Sequence, residues 1–335
     1  MIVAGDIGGT STRLGLFELA GGIPVLKAAQ KFPSRDHAGL EPILSAFLKA
    51  HPAQVACACF GIAGPVVNGR VQTPNLPWVI ETARVSATLS GARTWLINDL
   101  EANAYGVGAL PASEFVDLNP GATGDVQGNA AIISAGTGLG EAGFYCDGKR
   151  LRPFAGEGGH ATFAPLDDEQ AALAAWLRSK FGHVSVERVL SGPGLVEILE
   201  FITSTGRANA CPESAKTPRE ELAAAISRVA LEGSCPTCGR AVDMFVRIYG
   251  AEAGNLALKL KATRAMFVGG GIAPKLLPRL RGGAFLDAFL DKGRMRALLE
   301  PVPVRVILNE DAALLGAALC GALRSGQTNH DWLHA

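Results

Sequence analysis

Residues 2–18 read IVAGDIGGTSTRLGLFE, and residues 130–148 read AAIISAGTGLGEAGFYCDG. In each stretch an apolar run leads into a glycine-rich turn and a second apolar run follows, which is the pattern of two strands joined as a hairpin. The chain therefore contains the same hairpin twice. A unit that recurs in this way indicates two related domains, each opening with its own hairpin.

Strand and helix signals alternate after each hairpin. The first half continues with VACACFGIAG (55–64) and TWLIND (94–99), and the second with RAMFVGGGIAPKLL (264–277) and VPVRVILNEDAALLGAALCGAL (302–323). Strand-rich openings followed by such alternation predict α/β domains with mixed sheets. We place the boundary between the two domains near GALPA (108–112), after the helix that follows TWLIND.

The composition excludes several classes of partner. Lys and Arg number 31 and Asp and Glu number 31, so the formal net charge is zero and no overall positive field attracts nucleic acid or an anionic membrane. The apolar run AALLGAALCGAL (312–323) is too short to span a bilayer, and the N-terminal stretch does not read as a secretion signal. Seven cysteines, an odd number without a disulfide framework, favour a reducing compartment. We therefore expect a cytoplasmic protein whose partner is a small molecule.

Both hairpin tips have the composition of a phosphate-binding loop. DIGGT (6–10) and GTGLG (136–140) place glycines where backbone N–H groups can approach an anion closely. A tight hairpin turn explains either loop taken alone. Two matched copies favour the interpretation in which they hold one phosphate chain between them.

A dinucleotide-binding motif competes for the second tip. Residues 138–143, GLGEAG, match the glycine fingerprint of dehydrogenases, and Glu157 lies near the distance expected of their ribose-binding acid. That fingerprint needs a helix after the glycines, whereas EAGFYCDGK (141–149) returns as a strand towards a turn. The Gly-Lys-Ser/Thr phosphate loop of nucleotide hydrolases is absent from the sequence. The chain is therefore predicted to bind nucleotide, if at all, by other means.

A third glycine-rich segment, GGGIAPKLL (269–277), follows an apolar strand. We expect Pro274 to open a helix there, with Lys275 in its first turn. Ligands of open α/β sheets bind at such strand ends and helix starts, although a tight turn without a ligand explains the same residues.

Two other segments carry polar residues whose roles stay open. In GEGGH (156–160) the two glycines disfavour a helical metal pair, so Glu157 and His160 are predicted to lie in a polar loop close to another group. Glu187, in SVERVLSGPGL (185–195), either favours a helix N-terminus or belongs to a site.

The segment CPTC (235–238) supplies only half of the four ligands that a structural zinc site needs. No second cysteine pair or nearby histidine completes the set in the sequence. We therefore expect free thiols at these positions.

In WLINDLEANAYG (95–106) a strand ends on Asn98 and Asp99 and a helical stretch follows. Asn and Asp are preferred where a helix begins, because their side chains accept hydrogen bonds from its free N–H groups. Capping therefore accounts for the pair unless the rest of the chain assigns it another role.

Taken together, these motifs resemble those of the bacterial glucokinases, in the superfamily of hexokinase, actin and the heat-shock chaperone ATPases. The resemblance covers nearly the whole chain, and the joint order of the motifs is far more specific than any single one. It rests on GDIGGT (5–10), FGIAGPV (60–66), TPNLPW (73–78), INDLEANAYG (97–106), GTGLG (136–140), GEGGH (156–160), ERVLSGPGL (187–195) and GGGIAPKLL (269–277). The cysteine-rich zinc motif of the related repressor and sugar-kinase group is absent, which indicates the zinc-free branch.

The resemblance implies a fold and an activity. It implies two RNase-H-like domains of the actin-like ATPase type, with mixed sheets and a cleft between the domains. The smaller domain would comprise residues 1–110 and about 311–335, whose helix returns to it, and the larger would comprise 111–310. The implied activity is phosphorylation of D-glucose at its 6-hydroxyl by ATP and Mg²⁺, in a homodimer.

The resemblance also implies roles for individual residues. Asp99 would be the general base, and Asp6 would help position Mg²⁺ through water. Sugar hydroxyls would be bound by Asn98, Asp99, Glu157, His160 and Glu187. ATP would be contacted by Gly5, Asp6, Ile7, Gly8, Gly9 and Thr10, by Gly136, Thr137 and Gly138, and, near the adenosine, by Gly269, Gly270 and Gly271.

The chemistry fits these roles, since phosphoryl transfer depends mainly on positioning and charge neutralisation and needs one carboxylate that accepts the hydroxyl proton. Other classes remain as alternatives. A kinase for mannose, fructose or an amino sugar would share most of the loops, and a non-kinase actin-like ATPase would keep the glycine hairpins without needing GEGGH. A transcription repressor on this fold would carry a DNA-binding domain ahead of the first strand, which is predicted to begin at Ile2.

Overall fold

The computed structural model describes residues 1–73, 76–212 and 216–329. Pro74 and Asn75, in the TPNLPW motif, lie outside the described residues. The strands are β1 (Ile2–Ile7), β2 (Ser11–Ala20), β3 (Ile23–Pro33), β4 (Cys57–Ile62), β5 (Arg70–Gln72), β6 (Val79–Glu81), β7 (Arg93–Asn98), β8 (Phe115–Asp117), β9 (Ala130–Ala135), β10 (Leu139–Cys146), β11 (Leu151–Gly156), β12 (Ala265–Gly269) and β13 (Val304–Ile307). The α-helices are α1 (Leu40–Ala50), α2 (Thr82–Thr88), α3 (Asp99–Val107), α4 (Asp168–Phe181), α5 (Gly192–Ser204), α6 (Arg219–Glu232), α7 (Pro236–Leu260), α8 (Leu277–Leu280), α9 (Ala284–Leu290), α10 (Arg296–Leu299) and α11 (Ala312–Ser325). Of these helices, none has both the length and the apolar character that crossing a membrane requires.

The chain divides into two compact units. The first contains residues 1–114, 149–155 and those from 309 onwards, and the second contains residues 115–148 and 156–308. The division made from the sequence differs chiefly at 149–155, which it assigned to the larger domain, and by a few residues at 111–114 and 309–310. The last helix, α11, belongs to the first unit.

A five-stranded sheet forms the centre of the first unit, in the order β3-β2-β1-β4-β7. The pairs β1–β2 and β2–β3 are antiparallel, whereas β4 runs parallel to β1 and β7 runs parallel to β4. The first predicted hairpin is therefore confirmed, and Asp6 lies opposite Arg13 in its register.

Both faces of this sheet are buried. Because side chains alternate along a strand, Val3 packs into the apolar cluster that contains α1 and α2, while Ile2 and Ala4 pack into the cluster that contains α3 and α11. A strand covered on both faces is apolar throughout, which explains the unbroken apolar run before Gly5. Helix α3, which begins at Asp99, packs directly against α11.

The strands that lie wholly in the second unit form a sheet in the order β10-β9-β12-β13-β8. Here β10 is antiparallel to β9, β12 is parallel to β9, and β13 is parallel to β12. This arrangement repeats that of β2, β1, β4 and β7, so the predicted duplication and the mixed α/β class are confirmed. Because Glu141 and Gly143 lie in a strand, GLGEAG opens no helix and the dinucleotide fingerprint does not apply.

Helix α7 forms the centre of the second unit's helical layer and is buried along most of its length. Its Tyr249 packs edge-on against Phe285 of α9, with ring centroids 5.6 Å apart, and both side chains are fully buried. Helices α5 and α6 pack against α7 as well.

The segment after β12 differs from the sequence-based expectation. Residues 271–276 form turns and α8 begins only at Leu277, so the prediction that Pro274 opens a helix is wrong. The N–H of Leu276 donates to the carbonyl of Ile272 at 3.0 Å, which closes a single turn over the residues where the helix was expected. A different proline, Pro278, lies in the first turn of α8.

Candidate active site

The parallel strands of the first unit bring three predicted segments to one edge of its sheet. In the register, Ile7 lies opposite Ile62, and Ile62 lies opposite Asn98. These residues are the carboxyl ends of β1, β4 and β7, and such ends are where open α/β sheets bind ligands. The first glycine loop and the Asn98–Asp99 pair therefore share an edge.

Asn98 and Asp99 have different positions at the start of α3. Asn98 is the N-cap of α3, and its Oδ1 accepts a hydrogen bond from the N–H of Leu100 at 2.8 Å. Its Nδ2 donates to the carbonyl of Gly64 at 3.3 Å, and the side chain is buried. Asp99 is the first residue of the helix, and its Oδ1 accepts from the same Leu100 N–H at 2.9 Å. Because Asn98 already caps the helix, capping does not account for a carboxylate at position 99.

A second carboxylate, that of Asp6, lies close enough to Asp99 for the two to repel each other. Burial and the Asp99 charge raise the pKa of Asp6 to about 6, although the Arg13 guanidinium lowers it. Arg13 is itself held by an ion pair with Asp311, in which Nη2 lies 3.0 Å from Oδ2. The first unit thus places two carboxylates and one arginine about the end of β1.

The first glycine loop is fixed by its neighbours and keeps amides for a ligand. The N–H of Gly8 donates to the carbonyl of Ser11 at 3.0 Å, and the hydroxyl of Ser34 donates to the carbonyl of Gly8 at 2.8 Å. In the part of the chain that the structure describes, the amides of Gly9 and Thr10 find no acceptor. An anion at this tip would supply one.

The second glycine loop belongs to the second unit and is held differently. The N–H of Gly136 donates to the carbonyl of Gly138 at 2.8 Å, and the N–H of Gly192 donates to the carbonyl of Gly136 at 2.8 Å. Glu187 lies against this loop, since its Oε2 accepts from the N–H of Leu139 at 2.8 Å. Glu187 therefore supports the hairpin directly, in a short 3₁₀ turn and not at the start of an α-helix.

The GEGGH loop packs on strand β10 through its two adjacent glycines. A Cβ at Gly158 would lie 1.8 Å from Oε2 of Glu141, and one at Gly159 would lie 2.2 Å from the carbonyl oxygen of Leu139. The backbone of Leu139 leaves room only for glycine at position 159, and at position 158 any larger residue would require the buried Glu141 side chain to move. The loop forms a 3₁₀ turn over Gly158–His160.

The polar residues of that loop face solvent. The side chains of Glu157 and His160 are 55% and 64% exposed, and Oε2 of Glu157 lies 3.9 Å from Nε2 of His160. Ala161, which follows, accepts from the N–H of Val186 at 2.9 Å, which places the segment carrying Glu187 beside the loop. The second unit therefore gathers Glu157, His160 and Glu187 around one hairpin.

The third glycine segment lies at the same sheet edge as the second loop. Gly269 is opposite Ser134 in the register of β12 and β9. Gly270 has φ +80°, and a Cβ there would lie 2.3 Å from the carbonyl oxygen of Ala135, the residue just before Gly136. The segments 136–138 and 269–271 are thus neighbours.

Sequence reasoning missed two residues that support this half of the site. The hydroxyl of Tyr249 accepts from the N–H of Ala135 and donates to the carbonyl of Gly269, both at 3.1 Å, so it links the ends of β9 and β12. Glu141 lies beneath Gly158 and is 2% exposed. Burial and the Glu252 carboxylate raise the pKa of Glu141 to about 7, against the effect of Lys259. A buried acid in an otherwise apolar strand was the signal for Glu141; one tyrosine in a long helix gave none.

Each unit thus contributes one group of candidate residues. The first half-site, in the first unit, consists of Asp6, Gly8–Thr10, Asn98 and Asp99. The second half-site, in the second unit, consists of Gly136–Gly138, Glu157, His160, Glu187 and Gly269–Gly271. The first offers carboxylates and amides, as proton transfer and phosphate binding require, and the second offers a glycine turn beside exposed hydrogen-bonding side chains.

The expectation for CPTC is corrected in one respect. No disulfide joins Cys235 and Cys238, and both are free thiols as predicted. They do not stand alone, however, because Cys211 lies beside both of them. Its distance along the chain hid it from the sequence analysis.

Known proteins resemble the chain over almost its full length. A family model described as Glucokinase matches residues 3–324. The chain is 41% identical to a glucokinase of a Nostoc species, over 96% of this chain and 99% of that protein. It is 36% identical to a glucokinase of Shigella dysenteriae, over 94% of this chain and 95% of that protein. The crystal structure of a glucokinase from an Antarctic psychrotroph superposes with a TM-score of 0.82 at 30% identity, over 96% of this chain and 98% of that one.

Proposed function

Because the chain belongs to the glucokinase family, we propose that it transfers the γ-phosphoryl group of ATP to the 6-hydroxyl of D-glucose. The observation that carries the proposal is the position of Asp99. Its carboxylate lies at the carboxyl end of β7, in a helix start that Asn98 already caps. This reaction needs a carboxylate that accepts a proton and donors that bind phosphate. Asp99, which is not needed as a cap, and the amides of the neighbouring glycine loop meet these two needs.

Asp99 acts as the general base in the proposed reaction. The 6-hydroxyl gives its proton to the Asp99 carboxylate while its oxygen forms a bond to the γ-phosphorus. The bond from that phosphorus to the bridging oxygen breaks, and ADP leaves with the electron pair. The charge on the transferring group is met by fixed donors, among them the amides of Gly9 and Thr10.

Asp6 is suited to hold Mg²⁺. Mg²⁺ binds through one or two carboxylates together with the oxygen atoms of substrate phosphates. Burial and the Asp99 charge, which raise the pKa of Asp6, both disfavour its ionised form, and a nearby cation would offset this, so the carboxylates at the end of β1 fit the ion. When bound, it would neutralise charge on the phosphates of ATP.

Four side chains besides Asp99 are assigned to the sugar. Asn98 keeps one N–H and one lone pair beyond its bonds to Gly64 and Leu100. Oε2 of Glu187 is bonded to the Leu139 N–H, so Oε1 is its atom for a hydroxyl. Glu157 and His160 offer exposed acceptor and donor atoms. The assignment is supported by the resemblance and by the gathering of the last three residues in one loop system.

The remaining glycines are assigned to ATP. Gly136–Gly138 would contact the phosphates together with the loop of Gly5–Thr10, and Gly269–Gly271 would lie near the adenosine. The support within the second unit is that the segments Gly136–Gly138 and Gly269–Gly271 adjoin at Ala135. This assignment makes the glycine loops contacts of one nucleotide.

Both half-sites would have to contact the same ATP and glucose molecules. We propose that a cleft closes to bring this about. Closure excludes water from the transferring phosphate. Glucose should therefore compact the protein, which small-angle scattering at saturating glucose would detect. Identical profiles with and without glucose would count against closure while leaving the chemistry to be tested by turnover.

The resemblance also supports three finer proposals. They are a homodimer, a cytoplasmic location and a role at the entry of glucose into glycolysis. Light scattering of the purified chain tests the dimer, and a mass of one chain at micromolar concentration would contradict it.

A coupled assay over a panel of hexoses tests the function itself. Production of ADP should depend on added sugar and on Mg²⁺, with glucose giving the highest kcat/KM among glucose, mannose, fructose and glucosamine. A higher value for another sugar would reassign the substrate. ADP release at the same rate without any sugar would indicate a non-kinase ATPase.

A further inference from the structure

Three cysteines of the second unit meet at the start of helix α7. Cys235 is the N-cap of the helix, Cys238 lies in its first turn, and Cys211 comes from the segment after α5. The Sγ of Cys211 lies 3.2 Å from that of Cys238 and 3.4 Å from that of Cys235. All three sulfur atoms lie within 4.8 Å of one another.

Hydrogen bonds outside the cluster hold the two segments together. The hydroxyl of Thr237 donates to the carbonyl of Asn209 at 3.1 Å, and Nη1 of Arg240 donates to the carbonyl of Arg207 at 2.7 Å. Both bonds join the first turns of α7 to the segment that ends at Cys211. The meeting of the thiols is therefore fixed by the fold around them.

The three cysteines differ in their exposure to solvent. Cys211 and Cys238 are buried, at 2% and 0% exposure, whereas Cys235 is partly exposed. The N–H of Cys238 lies 3.5 Å from the Sγ of Cys235. One sulfur atom therefore faces solvent at a helix N-terminus, with two more directly behind it.

The spacing of the sulfur atoms matches a thiolate metal site. Zinc–sulfur bonds of about 2.3 Å in a tetrahedron separate neighbouring sulfur atoms by about 3.8 Å. Here the Sγ of Cys211 lies 3.2 Å and 3.4 Å from the other two sulfur atoms, slightly below that value, and the third separation is within 4.8 Å. Thiolate sulfur selects zinc over the harder cations, and a site with three protein ligands leaves its fourth position to water.

We propose that Cys211, Cys235 and Cys238 bind one Zn²⁺ ion, with solvent as the fourth ligand on the Cys235 side. The ion replaces the thiol protons, which pass to solvent, and no electron is transferred. It would tie the 207–211 segment to the start of α7, the helix whose Tyr249 links β9 and β12. The site is separate from the proposed kinase chemistry and differs from the zinc-free expectation drawn from the sequence.

Zinc content measured on the full chain tests this site. The protein is purified after growth with added Zn²⁺, without chelator, and zinc is measured by mass spectrometry after gel filtration. Wild type should retain about one zinc per chain, and Cys211→Ser and Cys238→Ser should retain less than about a tenth of that. Cys146→Ser removes a free thiol in the same unit, on β10, and should retain the wild-type amount.

A second measurement needs no variant. After removal of zinc, Co²⁺ added to wild type should produce the near-ultraviolet thiolate-to-cobalt absorption and the visible bands of a tetrahedral ion, and Zn²⁺ should raise Tm. Equal zinc content in wild type and Cys238→Ser, or no cobalt–thiolate absorption in folded wild type, would overturn the proposal. So would a mass lower by two hydrogens with two cysteines resistant to alkylation, since that result shows a disulfide.

Discussion

The two glycine hairpins of this chain have the same strand arrangement and opposite surroundings. The β1–β2 hairpin ends beside two carboxylates, Asp6 and Asp99, and burial together with the Asp99 charge raises the pKa of Asp6. At the tip of the β9–β10 hairpin, the Glu187 carboxylate instead accepts a hydrogen bond from the N–H of Leu139. One hairpin tip thus has two neighbouring carboxylates, and the other has a carboxylate that is hydrogen-bonded to the backbone.

This difference suggests how a duplicated fold acquires two tasks. The proposed proton transfer needs a carboxylate at a strand end that is not required as a helix cap, and Asp99 meets this condition because Asn98 caps α3. The proposed sugar recognition needs a loop whose backbone has a fixed position, and in the second unit Gly158 and Gly159 pack the GEGGH loop closely on β10. In the proposed reaction, the same topology would therefore serve proton transfer in one unit and sugar recognition in the other.

The largest effect is expected from Asp99→Asn, which breaks the first half-site at its base. A neutral amide cannot accept the hydroxyl proton, and general-base catalysis is typically worth about 10²- to 10⁴-fold, so kcat should fall by at least that order. Thermal stability should stay near wild type, because the Asn98 cap is untouched. Glu101→Gln removes the other acid of the same helical turn and serves as the control, with kcat within a few-fold of wild type. A folded Asp99→Asn protein with normal turnover would refute the role of Asp99.

Substitution of the exposed residues of the second half-site should act on sugar binding. Glu157→Gln and His160→Ala each remove a partner of a sugar hydroxyl, and a hydrogen bond to a charged group contributes about 1.5–3 kcal/mol, or roughly ten- to a hundredfold in affinity. The Kd for glucose should rise by that factor while the Kd for ATP stays within about twofold. Unchanged glucose binding in both variants would remove these residues from the sugar site.

Gly158→Ala tests whether packing on β10 positions the recognition loop. The added methyl group would meet the buried Glu141 carboxylate at 1.8 Å, so that side chain or the loop must shift. Displacement of binding groups by about 1 Å can lower kcat/KM by an order of magnitude or more, and we expect about a tenfold loss for glucose. Gly239→Ala, in α7, has room for its methyl group and should leave kcat/KM unchanged. Equal values for the two variants would show that the loop does not depend on this contact.

The smallest effect on turnover, but a clear one on stability, is expected from Glu141→Gln. The pKa of Glu141 rises from 4.5 to about 7 on folding, so between these values the folded protein holds a proton that the unfolded chain has released. Wild type therefore loses stability as pH rises through this window, and the variant, which cannot ionise, does not. Denaturant unfolding gives the free energy of unfolding of the variant minus that of wild type. This difference should be more positive at pH 8 than at pH 4, by on the order of a few kcal/mol. A difference that is independent of pH would contradict the assigned burial.

Much of this arrangement could be read from the sequence because it depends on local signals. Glycine turns between apolar runs predicted both hairpins, and the strand ending at Asn98 followed from an apolar run that stops at two polar residues. The helix expected at Pro274 failed because three glycines before it leave the chain free to turn, and local propensity does not say which turn it takes. Contacts between distant segments were out of reach for a different reason. Cys211 meets Cys235, and Glu141 meets Gly158, only because tertiary packing brings their backbones together.

The division of tasks between the two half-sites is tested most directly by measuring glucose affinity and turnover on the same two variants. Calorimetric titration of glucose and steady-state kcat are obtained for wild type, Asp99→Asn and Glu157→Gln. We predict a crossed result, in which Asp99→Asn loses far more turnover than affinity and Glu157→Gln loses more affinity than Asp99→Asn does. Parallel losses of both quantities in the two variants, or the reverse order, would contradict the account.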